Sequence, residues 1–142
     1  MIAHKRARGL DFRCCSARTI MSIRKRGHMI FPCIQVCDIE TTIHWYSDFL
    51  GFECTFKSTV KNPEYATLEK GVSKLYLRKA PSSDFYASNI VVIETPELAK
   101  ELDILSNKGV IVVQQISEGI FGTKEFIIKD YEDNNVIYKQ RV

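Results

Sequence analysis

Apolar and polar side chains alternate through residues 30–37, "IFPCIQVC", with Ile34 and Val36 on one side of the chain and Cys33 and Gln35 on the other. That is the period of a strand with one face buried. Pro32 falls near its start, where a missing N–H is tolerated. The period then changes. Asp38 is placed as a helix N-cap, Ile39, Ile43, Tyr46, Phe49 and Leu50 fall at helical spacing, and Gly51 stops the helix. Three short alternating segments follow, "GFECTFKS", "EYATLEK" and "SKLYLRK", divided by the turn signals "KNP" and "KG". The first half therefore predicts strand, helix and three strands.

The stretch "APSSDF" at residues 80–85 reads as a linker, and the same order begins again beyond it. "SNIVVIE" is a strand. Thr95 and Pro96 open a helix lined by Leu98, Leu102 and Leu105 and closed by Gly109. "VIVVQQ", "TKEFIIKD" and "NVIYKQ" give three more strands. The spacing repeats as well: Cys37 to Gly51 is 14 residues and Glu94 to Gly109 is 15. An offset of 62 sets "SKLY" over "NVIY" and Tyr76 over Tyr138. Two like units in the same order argue for duplicated βαβββ modules at 30–79 and 88–141, forming one α+β domain over 30–142.

Composition supports a folded interior, with 45% hydrophobic and 11% aromatic residues among 142. No apolar run approaches the roughly 18 residues of a membrane helix. The net charge of +3 conceals a division. Residues 1–29 hold eight of the 20 basic side chains and a single acid, Asp11, whereas the remainder carries twelve bases against sixteen acids, a net −4. An acidic body with a basic tail does not resemble a nucleic-acid reader, whose positive field is interleaved with aromatics on a folded face. The tail itself reads as a transit-type peptide, a nucleic-acid or lipid arm, or an extension upstream of a start at Met21 or Met29; the last is the expectation. Five cysteines without a CxxC pair point to a reducing, cytoplasmic compartment and to small buried thiols.

The marks "D…WY…LGF" (Asp38, Trp45, Tyr46, Leu50, Gly51, Phe52) and "G…EF…KD…N.I" (Gly122, Glu125, Phe126, Asp130, Asn135, Ile137), set on tandem βαβββ units, resemble the vicinal oxygen chelate superfamily. This is the group of glyoxalases, extradiol dioxygenases and bleomycin-resistance proteins. The resemblance implies two curled sheets around a cupped cleft, helices outside, and a homodimer. In the enzymes of that group a divalent metal sits in the cleft, held by two His and two Glu from the first and fourth strands of each module. Carried onto this chain, those positions fall on Phe31 and Ser88 and on Tyr76 and Tyr138. None is a His or a carboxylate, and a divalent ion needs converging N, O or S donors. His44 belongs to the helix surface, and His4 and His28 lie in or beside the basic tail. The family's last turn, Asp-Pro-Asp-Gly-Asn, is here "DYEDNN", read as one residue longer with Asn134 in the left-handed conformation.

Alternation then assigns the cleft face. Phe31, Cys33, Gln35, Tyr65, Tyr76, Arg78, Ser88 and Tyr138 are the candidate ligand-binding residues, with Thr67, Lys74, Ile90 and Gln140 beside them. Ile34, Val36, Leu75, Leu77 and Ile137 turn to the helices. An aromatic lining with few polar tips suits a flat or partly apolar small molecule. No Ser-His-Asp or Cys-His constellation and no phosphate-cradling loop is present, so no catalytic residue is assigned. The expectation is a binding protein of the bleomycin-resistance type, associated with antibiotic resistance, using no metal or other cofactor, and with no nucleic-acid or membrane partner. Two readings compete with it: a lyase, isomerase or dioxygenase with an atypical metal set drawn from Glu69, Cys33 or a tyrosinate, and an interaction module whose cleft is filled by Tyr76 packed on Tyr138.

Overall fold

The computed structural model describes residues 28–82, 89–119 and 122–140. The basic extension expected over residues 1–29 thus lies, save for His28 and Met29, outside the described residues, as does Ser88. From Phe31 onward the chain is one compact unit. Its elements are β1 (Cys33–Val36), α1 (Ile39–Leu50), β2 (Glu53–Lys57), β3 (Tyr65–Lys70), β4 (Ser73–Lys79), β5 (Ile90–Glu94), α2 (Leu98–Asn107), β6 (Val112–Glu118), β7 (Lys124–Lys129) and β8 (Asn135–Gln140). They form two four-stranded sheets in the orders β1-β4-β3-β2 and β5-β8-β7-β6. In each, the first strand runs parallel to the fourth and the remaining pairs are antiparallel. The two βαβββ modules therefore have one topology.

Helix α1 starts where the sequence places it. The Thr41 N–H donates to Asp38 Oδ1 at 3.0 Å and the Thr41 hydroxyl to Oδ2 at 2.8 Å, supplying the N-terminal amide with the acceptor that a helix end lacks. Gly51, at φ 76, makes the left-handed exit. Lys70 Nζ donates to the free Leu50 carbonyl at 2.7 Å. Ile39, Ile43, Tyr46 and Leu50 bury one side of the helix against Ile34, Val36, Ala66, Leu68, Leu75 and Leu77 of the first sheet. Helix α2 begins two residues later than the sequence suggests: Pro96 lies outside it, and the Leu98 N–H is capped by Gln140 Oε1 at 3.1 Å.

The turn from β7 to β8 carries a hydrogen-bonded link between the modules. Asp130 Oδ1 accepts the N–H groups of Glu132 and Asn134, each at 2.9 Å, and its Oδ2 accepts Asn134 Nδ2 at 3.0 Å. Asn134 Oδ1 in turn accepts the Asn89 backbone N–H at 3.0 Å. The Asn89 amide donates onward to the Gln35 carbonyl on β1 at 3.4 Å. The Tyr46 hydroxyl of α1 closes the network on Asp130 Oδ2 at 2.8 Å. Tyr46, Asp130 and Asn134 are buried, where an unmade hydrogen bond is costly.

In this turn the left-handed residue is Asp133, at φ 67, rather than Asn134. The loop is thus no longer than the Asp-Pro-Asp-Gly-Asn pattern, and Asp, like Asn, tolerates that conformation through its short polar side chain. The one-residue difference shifts the phase of β8, and a one-residue shift exchanges the two faces of a strand.

Candidate functional site

Helix packing leaves each sheet one face turned away from its helix. On the first sheet that face is built of cross-strand rows. Gln35, Arg78 and Tyr65 stand side by side in one row, Cys33, Tyr76 and Thr67 in the next, and Lys74 with Glu69 in a third. Phe31 extends the third row, with Lys74 Nζ 5.7 Å from its ring centroid. Successive rows lie about 7 Å apart, the rise of two residues. Phe31 and Tyr76 meet edge to face, with ring centroids 6.2 Å apart and planes at 66°. Tyr76 and Tyr65 keep 36% and 47% of their surface exposed.

The charges on this face are unequally satisfied. Lys74 pairs with Glu69 at 3.3 Å, and the Thr55 hydroxyl, followed by Lys74, holds the Glu69 carboxyl below the usual carboxylate range. Arg78 instead stacks its guanidinium over Tyr65, 5.4 Å from the ring centroid. Its Nη2 lies 3.4 Å from the Tyr65 hydroxyl. A hollow of about 400 Å³ opens here, lined by Gln35, Glu64, Tyr65, Arg78, Lys79 and Pro81.

The second sheet offers a different surface. Its open face carries the aliphatic row Val92, Ile137 and Ile127, flanked by Ile90, Asn135 and Lys129 on one side and Glu94, Lys139 and Glu125 on the other. Asn135 Oδ1 is buried there with no hydrogen-bond partner among the described residues.

The sequence-assigned residues divide accordingly. Phe31, Cys33, Gln35, Tyr65, Tyr76 and Arg78 share the open face of the first sheet. Tyr138 does not lie on an open face: it is 3% exposed and stacks on Phe126 at 4.9 Å, with planes at 4°. Its phenol is pushed well up by burial and then by Glu101 of α2. Gln140 likewise faces α2, through its bond to Leu98. Ile137 takes the open position instead, because β8 enters one residue earlier than the sequence offset assumes. The true offset on this strand is 61, setting Leu75 over Val136 and Leu77 over Tyr138 by burial and register. Tyr76 and Tyr138 consequently lie on opposite sides of their sheets and cannot fill a shared cavity. The same ladder gives Ile90 the place that Phe31 holds in the first module.

The positions at which the resemblance puts metal ligands are therefore Phe31 and Tyr76 in one module and Ile90 and Ile137 in the other. Three of these side chains are hydrocarbon and the fourth is a phenol, so they do not fit a divalent ion. Among the described residues no three His, Cys, Asp or Glu side chains gather as a metal site. Cys33 and Glu69 stand in different rows with β4 between their strands. His44 is exposed on α1. The three described cysteines are free, with Cys33 and Cys37 exposed rather than buried. Slight desolvation, followed by the charge and hydrogen bond of the neighbouring Glu132, raises the Cys37 thiol above its usual range. No described helix is long and apolar enough to cross a membrane.

Lys79 and Glu64, on the wall of the hollow, escaped the sequence reading. Lys79 follows the helix-side phase of β4 and Glu64 precedes β3, so alternation gives no signal for either.

Several solved structures share the fold at low sequence identity. TioX from Micromonospora sp. ML1 superposes with a TM-score of 0.68 at 12% identity, over 81% of this chain and 100% of its own. The virulence protein STM3117 from Salmonella typhimurium gives 0.63 at 22%, over 81% and 97%. A lactoylglutathione lyase from Agrobacterium tumefaciens gives 0.66 at 14%, over 81% and 95%. No curated protein matches the chain by sequence. The family model described as Glyoxalase/Bleomycin resistance protein/Dioxygenase superfamily matches residues 25–138, which takes in both modules and the turn that joins β7 to β8. The chain belongs to that superfamily.

Proposed function

We propose that this protein binds a small, partly aromatic or apolar molecule on the open face of its first sheet without the help of a metal ion. The observation that carries this reading is the edge-to-face contact of Phe31 with Tyr76, at two positions where a metal-dependent relative needs donor atoms. Exposed rings on a rigid sheet supply stacking area at little entropic cost, and a few polar groups beside them fix orientation. The aliphatic open face of the second sheet suits the apolar side of such a ligand, and a second copy of the chain would bring the two kinds of face together in a closed cleft. The function is sequestration or carriage, of the kind the bleomycin-resistance name implies, in place of turnover. A lyase or dioxygenase with an unusual metal set is the weaker reading, since Glu69 is already engaged by Thr55 and Lys74.

Native mass spectrometry of protein purified from its own host tests this proposal. It expects a dimer carrying an organic mass that is lost on denaturation. A monomer that carries no small molecule under any growth condition contradicts it.

A further inference from the structure

We propose that the row Gln35, Arg78 and Tyr65 is the anion-binding end of the ligand face, and that the ligand class is an aromatic carboxylate. This rests on the reading that the first sheet's open face binds a small molecule. Among the described residues two cations, Lys74 and Arg78, stand on that face and only one has a carboxylate partner. Lys74 is neutralised by Glu69 at 3.3 Å. The Arg78 guanidinium has no carboxylate within ion-pair distance among the described residues.

Arg78 is nevertheless held in place. The Tyr65 ring supports its plane, and one long contact to the Tyr65 hydroxyl occupies Nη2 alone. A guanidinium carries five N–H donors in a fixed fork, so most of them remain for a ligand. The fork borders the hollow of about 400 Å³, on whose wall Gln35 adds a carboxamide donor, while the charge of Lys79, in the helix-side phase of β4, acts on Asp38. Glu64 is the one carboxylate on that wall among the described residues, and it is not within ion-pair distance of Arg78. A single guanidinium matches a monoanionic carboxylate better than a phosphate dianion, and a planar fork matches a planar acceptor. Tyr76 lies one row from Arg78, about 7 Å along the strand. A two-ring acid spans that distance from its distal ring to its carboxylate, so the distal ring would rest on Tyr76 and Phe31 while the carboxylate meets Arg78.

The test is a titration of the ¹⁵N-labelled full chain with biphenyl-4-carboxylate and with its neutral counterpart, biphenyl-4-carboxamide, followed by NMR. The carboxylate is expected to shift the signals of Gln35, Tyr65 and the Arg78 side chain, and to bind about tenfold or more tightly than the amide. Arg78→Gln is expected to weaken the carboxylate about tenfold and the amide by much less. Glu64→Gln is expected to strengthen the carboxylate alone. The backbone spectrum of each variant reports whether it is folded. Equal affinities for the two probes, or indifference of the carboxylate to Arg78→Gln, would overturn the anion site and leave the binding face standing. Failure of both probes to bind, or binding confined to the second sheet, would overturn both.

Discussion

The Tyr46 hydroxyl donates a 2.8 Å hydrogen bond to Asp130 Oδ2, joining α1 of the first module to the turn before β8 in the second. Tyr46 is fully buried and Asp130 nearly so. Eighty-four residues separate the two, so the bond closes late in the chain and depends on both modules being formed. Tyr46→Phe keeps the ring and removes the donor. The variant is expected to lose about 1–3 kcal/mol, the usual result of leaving a buried acceptor short of a partner. Urea unfolding monitored by fluorescence measures it, and an unchanged midpoint would deny the bond its role.

The same residue sets the alkaline limit of the fold. An unfolded phenol ionises near pH 10, whereas burial first and the Asp130 charge second hold Tyr46 well above that in the folded chain. A folded pKa raised in this way gives stability that is complete below about pH 10 and is lost as pH climbs past it, because the unfolded state sheds protons sooner. Tyr138 acts in the same direction. Unfolding free energy is therefore expected to fall steeply above about pH 10, and less steeply in Tyr46→Phe. An equal slope in the two proteins would contradict this.

At the other end of the scale, Asp38 caps α1 and its carboxyl is held below its ordinary range chiefly by the backbone N–H of Thr41. A depressed folded pKa means that this stabilisation is present above the unfolded value near 4 and is lost as pH falls through the folded one. Asp38→Ala is expected to cost about 1 kcal/mol at neutral pH and Asp38→Asn much less, since Asn also caps. Thermal denaturation at pH 7 and at pH 3 measures both. A gap between Ala and wild type that persists unchanged at pH 3 would contradict the account.

The two tyrosines that the sequence aligns with each other should behave as opposites. Tyr138 lies in the core against Phe126, so Tyr138→Ala is expected to cost about 3–5 kcal/mol, as large-to-small core changes do. Tyr76 is exposed on the open face, and Tyr76→Ala is expected to change stability by less than about 1 kcal/mol while abolishing ligand binding. Chemical denaturation of both variants decides whether the register of β8 is right. Equal costs would return the two residues to a common face.

The elements themselves were legible because their signals are local: the alternation of Ile34 and Val36, the cap at Asp38, the glycine at 51 and the repeat of the whole order. The donor-poor corners could be read in part, since Phe31 and Tyr76 stand where the first module's pattern puts them. The second module's corners could not. Their phase hangs on which residue of "DYEDNN" turns left-handed, and Asp133 and Asn134 are both able to do so. That choice is made by Asp130, whose carboxylate gathers the amides of Glu132 and Asn134, and by Asn134, whose side chain is committed to Asn89. Tyr46 and Asp130 were visible as marks of the family. Their bond to each other is a property of the assembled modules, and so is the pairing of Glu69 with Lys74, which leaves Arg78 without a carboxylate partner among the described residues.

The central claim is that the corners formed by Phe31, Tyr76, Ile90 and Ile137 cannot hold a metal ion. It is tested most directly by equilibrating the purified chain with excess Zn, Ni, Fe and Mn in turn, removing free ion by gel filtration, and counting metal per chain by elemental analysis. The account predicts far less than one ion per chain for each metal. One tightly held ion per chain, released by a chelator and accompanied by shifts in the signals of Phe31 and Tyr76, would contradict it.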